Sequence, residues 1–337
     1  MTSFPEKLKI YKEKGLIPEK YQKILHDFYN CYIATLQRHG INPSSSESIF
    51  TTYLEVVKEQ VEHPFVFEPY HRHILHPFNY YQYGLEFLRP LVDLTHSSLQ
   101  GSDTLQQITE ALSKKENVIL LANHQIEADP QAISLLLEKD FPLLGQEMIF
   151  VAGERVLTDP LAIPFSMGRN LLCIYSKKHI DHPPELKTKK QLHNKKTMEL
   201  MSALLAEGGK CIYVAPSGGR DRPGADGVVE VSAFDGQSIE MFYLMAKKSQ
   251  TPTTFHPFTL STYDLLPPPQ VIEVELGEQR QTQRAAIHAA FGPSIDMNLF
   301  PGSDLSDKHE RRQARADYIC SLVKQAYCQF PTRGARV

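Results

Sequence analysis

No uninterrupted apolar run approaches the ~18 or more residues of a bilayer-spanning helix, so a helical integral membrane protein is not expected. Cys31, Cys173, Cys211, Cys320 and Cys328 form no CxxC pair and read as reduced, mostly packed thiols. The formal charge of -3 gives no general attraction for nucleic acid, and no such partner is expected; any phosphate must be met by local clusters of base. There is no internal repeat and no low-complexity tract. The opening segment, MTSFPEKLKIYKEKGLIPEK, lacks a signal-peptide apolar region, and its Glu and Pro content is unlike an amphipathic transit peptide; a cytosolic protein is expected. What remains is the composition of a folded globular chain, 42% apolar and 22% charged. Its 337 residues can bury a substantial core, in one large domain with a smaller one appended or in two of ordinary size.

Apolar residues recur at three and four from Pro18 to Gly40 and again from Glu47 to Glu62, which predicts two helices, the first stopped by Gly40 and the second by Pro64. A third is expected over Phe78 to Leu99. After Lys114 the pattern changes to strand-length apolar runs separated by helical stretches: VILLA from 118, MIFVA from 148, LLCIY from 171 and CIYVA from 211. A charged helix from about Thr188 to Glu207, closed by Gly208 and Gly209, connects the last two as parallel strands require. TTFHPFTLS and QVIEVELG read as further strands, and Lys308 to Cys328 as a helix. The expected fold class is α/β, a mainly parallel mixed sheet flanked by helices, with an N-terminal helical domain over 1–77 and a catalytic α/β domain over 78–337.

Three segments could carry chemistry, each directly after an expected strand. In a parallel sheet ligands gather at the carboxyl ends of strands. NHQIEADP, from Asn123, puts His124 there with Asp129, separated from it by four residues, across a strand-to-helix turn. An imidazole is suited to take a hydroxyl proton near neutral pH, and a carboxylate can fix its tautomer. The blander reading makes Asp129 a helix N-cap and His124 a surface residue. YSKKH, from Tyr175, brings Lys177, Lys178 and His179, either a phosphate subsite or a solvated basic loop. APSGGRDRP, from Ala215, offers two guanidinium groups, Arg220 and Arg222, able to hold phosphate oxygens through paired hydrogen bonds. Together they describe a general base beside a dianion clamp, suited to a substrate with both a reactive hydroxyl and a phosphate.

These segments resemble the soluble, plastid-type glycerol-3-phosphate acyltransferases, over most of the chain from about Asn117 to Gly277. The resemblance implies His124 and Asp129 as the catalytic pair, and a phosphate-binding role for Lys178, His179, Arg220 and Arg222. It implies transfer of a fatty acyl group from an acyl carrier protein or coenzyme A thioester to the 1-hydroxyl of glycerol 3-phosphate. No cofactor or metal is implied, and peripheral contact with a membrane is compatible with it. A bacterial cytosol is the expected compartment, with a mature plastid stroma as the alternative. Rival readings are an acyltransferase for another acceptor such as lysophosphatidate, a serine thioesterase using Ser217, and a non-catalytic phosphate- or carrier-binding protein. Ser217 lies in PSGGR rather than GxSxG, and the intact His124 and Asp129 speak against the last. His63, His71, His73 and His76 have no Cys or acidic partner at metal-ligand spacing. The lysines from Lys187 to Lys196 read as a solvated face or as a contact for an acidic carrier.

Overall fold

A computed structural model describes residues 2–176, 180–269 and 276–331. The chain opens with α1 (Phe4–Glu13), α2 (Glu19–Arg38) and α3 (Ser44–Glu62). α1 has no counterpart among the expected helices. It starts at Ser3, whose hydroxyl accepts the Glu6 N–H while the Glu6 carboxylate accepts the Ser3 N–H, satisfying donors that a helix start leaves orphaned. α2 buries the expected stripe of Ile24, Leu25, Phe28, Tyr32 and Leu36, and stops where Gly40 takes φ +66°. Phe4, Phe28, Tyr32, Phe50, Tyr53 and Phe87 form an aromatic cluster with ring centroids 5.1 to 6.5 Å apart, mostly edge to face.

The single helix expected over 78–99 is three elements. After the short strand β1 (Tyr70–His71), α4 (Tyr80–Leu88) ends in a 3-10 turn at 89–91, and β2 (Ser98–Gln100) follows. The interruption is Pro90, which lacks the N–H that would bond the carbonyl of Glu86. Then come α5 (Ser102–Ser113), β3 (Asn117–Ala122), α6 (Asp129–Leu137), α7 (Pro142–Glu147), β4 (Ile149–Gly153), α8 (Glu154–Thr158), α9 (Ile163–Met167) and β5 (Asn170–Ile174). α10 (Lys187–Glu207) leads to β6 (Cys211–Val214). At Gly208, φ +77°, a Cβ would meet the Lys115 carbonyl at 2.1 Å, so only glycine fits this end of α10. The ribbon of β7 (Arg222–Pro223) and β8 (Val229–Glu230) precedes α11 (Gly236–Ser249), β9 (Thr253–Ser261), β10 (His288–Phe291) and α12 (Lys308–Cys328). Residues 270–275, most of the strand expected at QVIEVELG, lie outside the described residues.

Eight strands form one sheet in the order β1-β5-β4-β6-β3-β9-β10-β2. From β5 across to β9 all pairs are parallel; β1 and β10 are antiparallel additions, and β2 runs parallel to β10. The protein is therefore α/β with a mostly parallel mixed sheet flanked by helices. β3 is buried along its whole length, which explains its continuous apolar run. Val118, Leu120 and Ala122 face a core shared with α5, α6, α7 and α9, while Ile119 and Leu121 face one built with α10, α11 and α12. The N-terminal helices share a third core with α4, α6 and Ile126 of the segment after β3. Cys173, Cys211 and Cys320 are buried, and burial pushes the Cys173 and Cys211 thiols up to about 12. Among the described residues no helix is long and apolar enough to cross a membrane.

Candidate active site

Parallel strands that enter the sheet the same way leave it at the same edge. β3 delivers Asn123 to Asp129 there, β4 delivers Glu154 and Arg155, β6 delivers the segment to Arg222, and β9 delivers Thr262 and Tyr263. β5 leads to Lys178 and His179, which lie outside the described residues.

Asp129 is 1% exposed and is the first residue of α6. The N-cap is Ala128, without a side-chain hydrogen bond, so the capping reading of Asp129 fails. One carboxylate oxygen, Oδ2, instead accepts the Gln125 N–H at 2.8 Å and lies 2.8 Å from His124 Nδ1; Oδ1 accepts the Thr262 hydroxyl at 2.5 Å. With an ionised partner there, Nδ1 carries the imidazole proton and Nε2 keeps its lone pair for a substrate. His124 is partly exposed, 30% for its side chain, so it can be reached from solvent while its carboxylate partner stays buried.

Neighbours on both sides fix the backbone that carries His124. The Asn123 side-chain amide pairs with both polar groups of Leu260, accepting its N–H at 2.8 Å and donating to its carbonyl at 2.9 Å. Gln125 Oε1 accepts the N–H groups of Thr262 and Tyr263, and its Nε2 donates to the Tyr327 hydroxyl of α12 at 3.2 Å. Tyr213 donates to the Asn123 carbonyl and the Asp221 N–H to the His124 carbonyl, each at 2.6 Å. The two amides of NHQ thus lace the loop that carries His124 to β9.

Asp221 is fully buried, and its carboxylate accepts from Asn123 Nδ2 at 2.8 Å, Gln125 Nε2 at 3.3 Å and the Ser232 N–H at 2.9 Å. Burial raises its pKa, the three donors only partly opposing this. Every neighbour is a donor, so an amide at this position must point its NH₂ at one of them. Relief of the buried charge is outweighed, and Asp221→Asn is expected to lose about 1–3 kcal/mol of stability, read by denaturant unfolding.

Arg220 meets Glu278 through both terminal nitrogens at 2.8 Å, and Arg155 reaches the same carboxylate at 2.9 Å. Burial raises the Glu278 carboxyl, but the hydrogen bonds and charge of Arg220, with Arg280 and Arg155, hold it below the usual range. Arg222 donates to the Pro269 carbonyl; burial and the neighbouring charge of Arg220 lower its pKa. Arg280, buried, pairs with Glu127 of the NHQIEADP segment at 2.5 Å. Glu278 and Arg280 were not anticipated. Their stretch, GEQRQTQR, is polar without periodicity, and only its position over the site gives it meaning. Ser217 donates to the Gly219 carbonyl within its own turn, not to an imidazole. His71 is buried against the Met167 carbonyl, and Lys190 is buried beside Glu154 rather than on a solvated face.

A family model described as Acyltransferase matches residues 100–261. Two chloroplastic glycerol-3-phosphate acyltransferases of Cucurbita moschata are 36% and 40% identical to the chain over 319 residues, or 94% of it, and 71% and 69% of their own lengths are covered. The chloroplastic glycerol-3-phosphate acyltransferase of Spinacia oleracea is 38% identical over 294 residues, 86% of this chain and 62% of that one.

Proposed function

Because the chain belongs to the family of plastid-type glycerol-3-phosphate acyltransferases, we propose that it transfers a fatty acyl group from a thioester to the 1-hydroxyl of glycerol 3-phosphate, with His124 as the base. The observation that carries this reading is the buried Asp129 carboxylate on His124 Nδ1, at the sheet edge where Arg220 and Arg222 also emerge. His124 Nε2 takes the hydroxyl proton as the oxygen attacks the thioester carbonyl. The tetrahedral intermediate then collapses, and the imidazolium returns the proton to the departing thiolate. Asp129 stabilises the imidazolium in between. The proton lost by the alcohol is the one gained by the thiol, so the step balances with the acyl thioester as sole co-substrate and no further cofactor.

Arg220 and Arg222, with Lys178 and His179, hold the phosphate and so decide which hydroxyl faces the base. Arg220→Ala is expected to raise the KM for glycerol 3-phosphate roughly tenfold to a hundredfold, the worth of charged hydrogen bonds, with a smaller change in kcat. The donor is the thioester of an acyl carrier protein or of coenzyme A. The relatives carry chloroplastic names, which supports a plastid stroma over a bacterial cytosol as the compartment.

The test is thiol release from a long-chain acyl thioester by purified protein, with and without glycerol 3-phosphate, followed by identification of the lipid. Release that depends on the acceptor and yields 1-acyl-glycerol 3-phosphate is expected. Release without any acceptor would identify a thioesterase instead.

A further inference from the structure

Arg220 ends a turn whose preceding glycines, Gly218 and Gly219, are exposed, and it lies close enough to Arg222 for the two charges to repel. A long cationic side chain in that setting has many rotamers open to it, and ordering it on each encounter with substrate costs entropy. Glu278 removes that freedom. Its carboxylate is 6% exposed and takes both terminal nitrogens of Arg220 on one side and Arg155 on the other.

Glu278 is itself held from both directions. The preceding Gly277 N–H donates to the buried Asp159 at 3.0 Å, and Arg280 donates to the Glu278 carbonyl at 2.9 Å while pairing with Glu127. The anchor is tied to the segment that carries His124, so the arginine and the base are referred to one frame.

A guanidinium is planar and offers donors along more than one edge. The pair with Glu278 uses the edge between the two terminal nitrogens; the edge formed by Nε–H and a terminal nitrogen is geometrically suited to a second anion. Resting on the acceptor proposed above, we infer that Glu278 is a positioning residue: it aims the remaining edge of Arg220 at the phosphate of the acceptor and touches no reacting atom.

The experiment compares the wild-type chain with Glu278→Gln, Arg220→Ala and the double variant, using thiol release with glycerol 3-phosphate and with glycerol as acceptors. Glu278→Gln is expected to raise the KM for glycerol 3-phosphate about tenfold or more, as misplacement of a binding group does, with much less change in kcat. Its preference for glycerol 3-phosphate over glycerol falls by a similar factor, and the KM for the acyl thioester is unmoved. In the Arg220→Ala background the same substitution adds no further loss. A purely structural ion pair would lower kcat with both acceptors alike, or give losses that multiply in the double variant, and either result overturns the role. A fall in KM would overturn it too, by making the carboxylate a competitor of the phosphate. Should Glu278→Gln not unfold cooperatively, Glu278→Asp, which keeps the charge but withdraws it by one methylene, enters the same cycle with the same criteria. Wild-type turnover that ignores glycerol 3-phosphate overturns the acceptor itself, whereas normal dependence with an unmoved KM in the variants overturns this role alone.

Discussion

His124→Ala is expected to lower kcat by about 10³- to 10⁴-fold while leaving the fold and the binding of glycerol 3-phosphate nearly intact. The size follows from what is removed. An alcohol is a poor nucleophile towards a thioester unless its proton leaves as the new bond forms, and His124 is the imidazole at this sheet edge whose other nitrogen is already held by a buried carboxylate. Because the side chain is partly exposed, trimming it opens little cavity, so the unfolding midpoint should move far less than the rate. The KM for the acceptor should stay near its original value if, as proposed, Arg220 and Arg222 grip the phosphate. Turnover within a few fold of wild type would sink the mechanism.

At Asp129 the order of two variants matters more than the size of either. Asp129→Asn can keep its oxygen where Oδ2 now sits, because the Gln125 N–H there demands an acceptor; its NH₂ then faces the Thr262 hydroxyl, which can turn from donor to acceptor. The tautomer of His124 survives this exchange and only the negative charge is lost. A fall in kcat of about 10²- to 10³-fold is expected, comparable to removing one preorganised electrostatic partner. Asp129→Ala deprives three buried or half-buried donors of their acceptor at once and frees the imidazole to take the wrong tautomer, so it should lie nearer 10⁴-fold and also destabilise the protein. Steady-state kinetics beside denaturant melts of both variants gives the order; equal losses would mean that charge alone matters and that the hydrogen-bond pattern around Asp129 does not.

The parts of this molecule that could be read from the sequence are those where local pattern and final environment agree. β3 reads as a strand because it is buried on both faces, and His124 with Asp129 reads as a pair because both sit on one short strand-to-helix turn. α2 and α3 carry helical spacing and plain stops, while α10 reads as a charged stretch closed by two glycines. Where the reading failed, a single residue or a distant partner decided. Pro90 cut one expected helix short, and α1 depends on a capping box ahead of a stretch with few buried residues. Arg220 suggests a phosphate ligand by its type, but its pairing with Glu278 spans 58 residues and leaves no periodic trace. The same holds for Asp221, which sits between two arginines and looks like part of a surface turn, yet is the buried acceptor on which the Asn123 and Gln125 amides converge.

Tyr327 of α12 meets Gln125 across 202 residues of chain, and α12 also packs along β9, to which the loop carrying His124 is laced. On a ribosome that emits roughly 5–20 residues per second, the segment carrying His124 therefore waits many seconds for its last partner. Once Arg222 has been added, the nascent chain holds every residue of the proposed chemistry in linear order, but still lacks the wedge that keeps β9 and the loop together. Activity should appear late and abruptly in synthesis, with the emergence of α12, rather than grow in step with chain length.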